Sequence, residues 1–173
     1  MILLIVLSKA AAISVALSGC ASQTPREAAR VHGIAATDAP TIDVCWRKVL
    51  ASPQHRALRG KMGDHADSPT AAMKSNPAKA TPQEATLLQS LQEGYLAPCR
   101  KMALQSAAKV SPMIVAILTD SYARADANTA RLLNREITWG EYVSESQAIV
   151  THRRAELLAA GETMQRQQAP PTR

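Results

Sequence analysis

The sequence predicts an all-α fold, an antiparallel bundle of about four helices stapled by one disulfide. Three observations carry this. Ala supplies 32 of the 173 residues, Phe is absent and aromatics reach only 3%, a composition that favours helices over the β-branched and aromatic runs that strands prefer. Apolar side chains recur at helical spacing in several segments. Ser or Thr followed by Pro, or by Glu three residues on, marks the helix starts. An apolar content of 46%, a charged content of 20% and a mean hydropathy of −0.12 exclude wholesale disorder and a polytopic membrane protein. The length is that of one domain with an ample core.

The first 20 residues, MILLIVLSKAAAISVALSGC, end on Leu17-Ser18-Gly19-Cys20 after the apolar stretch Ala10–Leu17. This resembles the signal peptide and lipobox of bacterial lipoproteins. The resemblance implies cleavage before Cys20, a thioether-linked lipid on its sulfur and acylation of the new terminus. In that family Ala21 after the cysteine directs the product to the outer membrane, on the leaflet facing the periplasm. The competing reading is an uncleaved transmembrane anchor. About 22 residues suffice to span a bilayer, but Lys9 within the span would cost roughly 2.5–3.5 kcal/mol. Several acyl chains hold a protein firmly where one does not.

With Cys20 committed to lipid, Cys45 and Cys99 remain, an even pair for an oxidising compartment. No CxxC spacing exists and no His adjoins either residue, which disfavours metal or redox chemistry. A bridge would close a loop of about 55 residues, worth roughly 4 kcal/mol by loop entropy.

Residues 20–40 read as a flexible tether and 161–173 as a polar, Pro-ended disordered tail, leaving 41–160 as the helical domain. Thr41 caps a first helix whose stripe is Ile42, Cys45, Trp46, Val49 and Leu50, ending at Ser52-Pro53. Gln54–Pro77 is broken by Gly60, Gly63, Pro69 and Pro77 into short helical turns and loops, with Val49, Leu58, Met62 and Met73 tucked to the core. Thr81-Pro82-Gln83-Glu84 opens the next helix with a capping box, and Leu88, Leu91, Tyr95, Cys99 and Met102 carry its stripe to Ala107. Pro98, four residues after Gly94, predicts a kink.

Ser111-Pro112 repeats the cap, followed by Val115, Leu118, Tyr122, Ala125, Thr129 and Leu132. Ile137-Thr138-Trp139-Gly140-Glu141-Tyr142 combines a capping box (Thr138, Glu141) with a hydrophobic staple (Ile137, Tyr142). The last helix then buries Tyr142, Val143, Ile149, Val150 and Leu157 and stops at Gly161. Periodicity leaves open whether Trp139 and Tyr142 are core or an exposed patch.

The order of these features resembles small helical envelope lipoproteins of Proteobacteria over about Val44–Leu158. Those features are a cysteine on the first helix, a Pro-broken middle, a second cysteine late in a long helix, then Ser-Pro and the ITWGEY turn. The resemblance implies the helical fold and the Cys45–Cys99 bridge, and brings no activity.

Chemistry-bearing patterns are sparse. GDHAD, with His65, Asp64 and Asp67, lacks zinc-ligand spacing, and His152 with Glu156 reads as a surface pair. Nucleophile and phosphate-loop motifs are missing, and Glu141, one turn from Glu145, belongs to a cap. We therefore expect no enzyme, cofactor, metal or small-molecule substrate. The expected role is an accessory or binding module with an envelope protein partner. The alternative uses the formal charge of +6. Arg131, Arg135, Arg153 and Arg154 are candidate anion-binding residues for lipopolysaccharide, peptidoglycan or nucleic acid, the last disfavoured by the scarcity of aromatics.

Overall fold

Helix boundaries follow from caps and breakers, and all the regular structure found is helical. A computed structural model of the chain describes residues 24–168. The lipobox, Cys20 and the last five residues of the tail lie outside the described residues. The elements are α1 (Thr24–Ala51), α2 (Pro53–Met62), α3 (Ala71–Lys74) and α4 (Pro82–Leu91). A π-turn (Gln92–Leu96) leads into α5 (Ala97–Ala108), followed by α6 (Pro112–Leu133) and α7 (Trp139–Gln168).

The expected caps at Thr81 and Ser111 are present, and Ser52 adds a third. Ser52 Oγ accepts from the His55 N–H, Thr81 from Glu84 and Ser111 from Met113. Each satisfies a donor that the first helical turn leaves orphaned, and Pro follows each cap where no donor is lost.

Antiparallel packing is visible in the cross-links. Cys45 bonds Cys99 while Asp38, two turns earlier on α1, meets Lys109 after α5. Gln54 reaches Ser90 and Lys61 reaches Glu84, so α2 runs against α4. Short connections make α5–α6 and α6–α7 hairpins, the latter held by Asn128 Nδ2 donating to the Tyr142 carbonyl at 2.9 Å. The all-α bundle with one disulfide is therefore the fold. Its core gathers Val49, Leu58, Leu88, Leu91, Cys99, Leu132, Ile137, Trp139, Tyr142 and Val143.

Four expectations are corrected. Residues 24–40, read as tether, are helical and continuous with the first helix, so Thr41 is no cap and Pro40 lies in a helix interior. This segment is Ala-rich, and the Asp38–Lys109 ion pair fastens its end to the bundle. Helix α7 passes through Gly161 to Gln168. One interior glycine costs only about 1 kcal/mol, and its Ala, Glu, Met and Gln neighbours are good helix formers. The segment after Ser52 builds a longer helix than expected, the ten-residue α2, because one interior glycine, Gly60, costs only about 1 kcal/mol and it is Gly63, at φ 72°, that ends the helix. Leu157 is half-buried rather than buried.

Pro98 does not end the long helix. Its ring would strike the carbonyl of residue 94 in a regular helix. The extra residue of the π-turn relieves this, with the Ala97 N–H bonding to the Gln92 carbonyl five residues back.

Candidate functional site

The ITWGEY turn is built into the core. Thr138 N–H donates to Glu141 Oε2 at 2.7 Å and Glu141 N–H donates to Thr138 Oγ1 at 3.2 Å, the reciprocal capping box. Ile137 and Tyr142 staple it, both buried. Trp139 is 0% exposed and meets Tyr142 edge-on, ring centroids 5.7 Å apart, so neither ring forms an exposed patch. The turn also receives a neighbour: Trp139 N–H donates to the Ala78 carbonyl at 2.8 Å and Gly140 N–H to the Asn76 carbonyl at 2.9 Å. The first turn of α7 thus satisfies two orphan donors through the 76–78 segment.

Glu84 links the two capping boxes. Its Oε2 accepts from the Thr81 N–H at 2.9 Å and from the Trp139 indole at 3.3 Å, and its Oε1 lies 3.6 Å from Lys61 Nζ. Burial pushes the carboxyl up, but the Thr81 N–H, the Trp139 indole and the Lys61 charge together hold it below the usual range. The Thr138 backbone N–H and then its hydroxyl hold Glu141 low as well.

Cys45 and Cys99 are bonded, with Cα atoms 5.6 Å apart. Cys99 is 1% exposed and Cys45 packs against the same core.

The four candidate arginines fall in two places. Arg131 and Arg135 lie at the α6–α7 connection, Arg131 near Glu141 and Arg135 in the left-handed region at φ 61°. Arg153 and Arg154 lie 14 and 15 residues along α7 from Trp139, about 21 Å away. The structure therefore does not gather the four into one patch. Arg154 pairs with Asp67 at 3.1 Å.

Arg153 turns towards α6, where its Nη1 is 3.5 Å from Ser121 Oγ. No carboxylate among the described residues pairs with it. Burial lowers its pKa, Arg100 and Arg154 add to that, and Tyr122 and Asp67 oppose it.

Arg100, on α5, completes this corner. It stacks on Tyr122, Cζ 5.0 Å from the ring centroid, and pairs with Asp126. Burial raises the Tyr122 phenol, with Arg153 and Arg100 pulling the other way. Between α5 and α6 a shallow groove of about 440 Å³ runs past Ala97, Arg100, Lys101, Leu104, Gln105 and Tyr122.

The remaining candidates are solvated pairs. Asp64 bonds Arg59, and His152 Nε2 lies 3.4 Å from Glu156. No group of three or more potential metal ligands occurs among the described residues, and no helix there is long and apolar enough to cross a membrane. His55, expected in a loop, is instead buried on α2, its Nδ1 without a partner. Comparison with protein-family models, curated proteins and solved structures finds no match to the chain.

Proposed function

We propose that the protein is a non-enzymatic, lipid-anchored module of the bacterial cell envelope. Its helical domain faces the periplasm from the outer membrane and serves as an accessory or binding module. The observation that carries this reading is the Cys45–Cys99 bond between α1 and α5. Such bonds persist in oxidising compartments and are rare where thiols are kept reduced. The Leu17-Ser18-Gly19-Cys20 motif supports the anchor independently of it.

The helical start of the mature chain changes the expected attachment. Between Thr24 and the Asp38 ion pair lie 14 residues of helix, about 21 Å of rod. On this reading the domain stands off the membrane on a helical strut that includes Thr24–Asp38.

The decisive measurement is the intact mass of the native protein extracted from membranes, before and after reduction. The expected mass is that of triacylated Cys20–Arg173, rising by about two protons on reduction. An unmodified chain with free thiols refutes the reading.

A further inference from the structure

We propose that Arg153, Arg100 and the Tyr122 hydroxyl form a binding site for a single oxyanion, a carboxylate or a phosphate group. The inference goes beyond membrane anchoring and does not rest on it.

The charge balance is the starting point. Three guanidiniums bear on this corner: Arg153 of α7 lies against Ser121, Arg100 of α5 stacks on the adjoining Tyr122, and Arg154 follows Arg153 in α7. Two carboxylates answer them, Asp126 on Arg100 and Asp67 on Arg154. Arg153 is the surplus charge, and like Arg100 it is partly buried. A half-buried guanidinium loses hydration that only an opposite charge or good acceptors replace. Its contact within the protein is a serine hydroxyl at the outer limit of hydrogen bonding, 3.5 Å.

Tyr122 adds a donor. No hydrogen bond from its hydroxyl to another described residue accompanies the Arg100 stacking, and both Arg100 and Arg153 act on the phenol. A planar fork and a phenolic O–H are the donors that recognise carboxylate and phosphate oxygens.

Access is present as well. The α5–α6 groove opens beside Arg100 and Tyr122, with Ala97 and Leu104 giving it an apolar wall. Asp126, with its side chain 56% exposed, can swing off Arg100 as the ligand enters. A wall of this kind accepts a free ion or an oxyanion carried on an apolar body, such as a lipid headgroup.

The test is the thermal unfolding of the full chain in neutral detergent, with inorganic phosphate replacing chloride at constant ionic strength. At about twenty times its dissociation constant, phosphate is expected to raise Tm by roughly 5 °C. Arg153→Met should abolish that rise, leaving only the general salt effect of phosphate, while its own Tm in chloride stays level or increases. Asp126→Asn frees Arg100 and should tighten phosphate binding several-fold. Arg131→Ala with Arg135→Ala should leave it unchanged.

A dihexanoyl phosphatidylglycerol arm separates the two sources. Binding tighter than inorganic phosphate assigns a lipid headgroup, and equal or weaker binding a free oxyanion. Should Arg153→Met unfold, Arg153→Lys keeps the charge without the fork and should bind phosphate roughly tenfold more weakly. The proposal is overturned by an absent phosphate shift in the natural chain. It is equally overturned by the same shift in Arg153→Met, or by undiminished binding in Arg153→Lys.

Discussion

At the scale of single residues, two backbone positions show opposite fits between amino acid and geometry. A Cβ added at Gly140 would overlap the Lys74 carbonyl oxygen and lie 2.9 Å from that of Asn76. Both are backbone atoms in the segment that satisfies the start of α7, so neither can turn aside. Gly140→Ala should therefore cost about 3 kcal/mol, at the upper end of ordinary overpacking, seen as a lower urea midpoint with unchanged slope. An unaltered midpoint would mean that the 74–78 segment moves away freely. Arg135 is the converse. It ends α6 with a left-handed residue, φ 61°, while the Glu136 N–H bonds back to the Arg131 carbonyl at 2.9 Å. That is the position where helices prefer glycine. Relief of the left-handed strain, offset by the added freedom of the unfolded chain, makes Arg135→Gly stabilising by about 0.5–1 kcal/mol. The same urea experiment checks it, and a destabilised variant would show that the arginine side chain matters there.

Helices in this chain are set by their first turns, and acid should loosen them. Glu84 and Glu141 each close a capping box and are each held below the ordinary carboxylate range. A carboxylate whose folded pKa is depressed adds stability that is fully present above the unfolded value, about 4.3. That stability is lost as pH falls through the folded value. Glu84→Gln should therefore destabilise by about 1 kcal/mol at pH 6, and the gap should narrow as pH falls below the unfolded value and through the folded one. Urea midpoints for both chains from pH 6 into acid provide the check, and a gap that acid leaves unchanged would assign the loss to packing instead. The same first turns explain what the sequence made legible. Thr81, Ser111 and Thr138 precede apolar stripes, so cap and period agree and the helices they start are found where expected. Thr24-Pro25-Arg26-Glu27 carries the same Thr-Pro-x-Glu pattern as Thr81-Pro82-Gln83-Glu84, but no sustained apolar stripe follows it, and a reading that demands both signals misses the helix. Gly161 misled in the other direction, because a glycine stops a helix only when the chain must turn there. The π-turn before Pro98 has no periodic signature, since it is a local answer to one ring clash.

For the whole molecule, the corner at Arg153 was half legible. Helical spacing fixes the face of α7 on which an arginine lies, but which neighbour meets that face depends on how α5, α6 and α7 cross. Arg131 and Arg135 were grouped with it because they share a charge, and about 21 Å of helix separates them. The disulfide pairing, by contrast, was legible from counting, and it ties α1 to α5. Its sequence separation of 54 encloses α2, α3, α4 and the π-turn between α1 and α5. Without it, α1 is held to α5 by side-chain packing and by polar contacts such as the Asp38–Lys109 pair, whose lysine is half exposed, and such pairs contribute about 1 kcal/mol. Loop-closure entropy values the bond at about 4 kcal/mol, which for a chain of this size corresponds to roughly 10 °C in Tm. Cys45→Ala with Cys99→Ala, or reduction of the natural chain, should lower Tm by that amount while far-UV helicity at 20 °C stays near native. The double variant should then be indifferent to reductant. A fall of less than about 3 °C would mean that α1 docks by packing alone and that the bond is incidental to the fold.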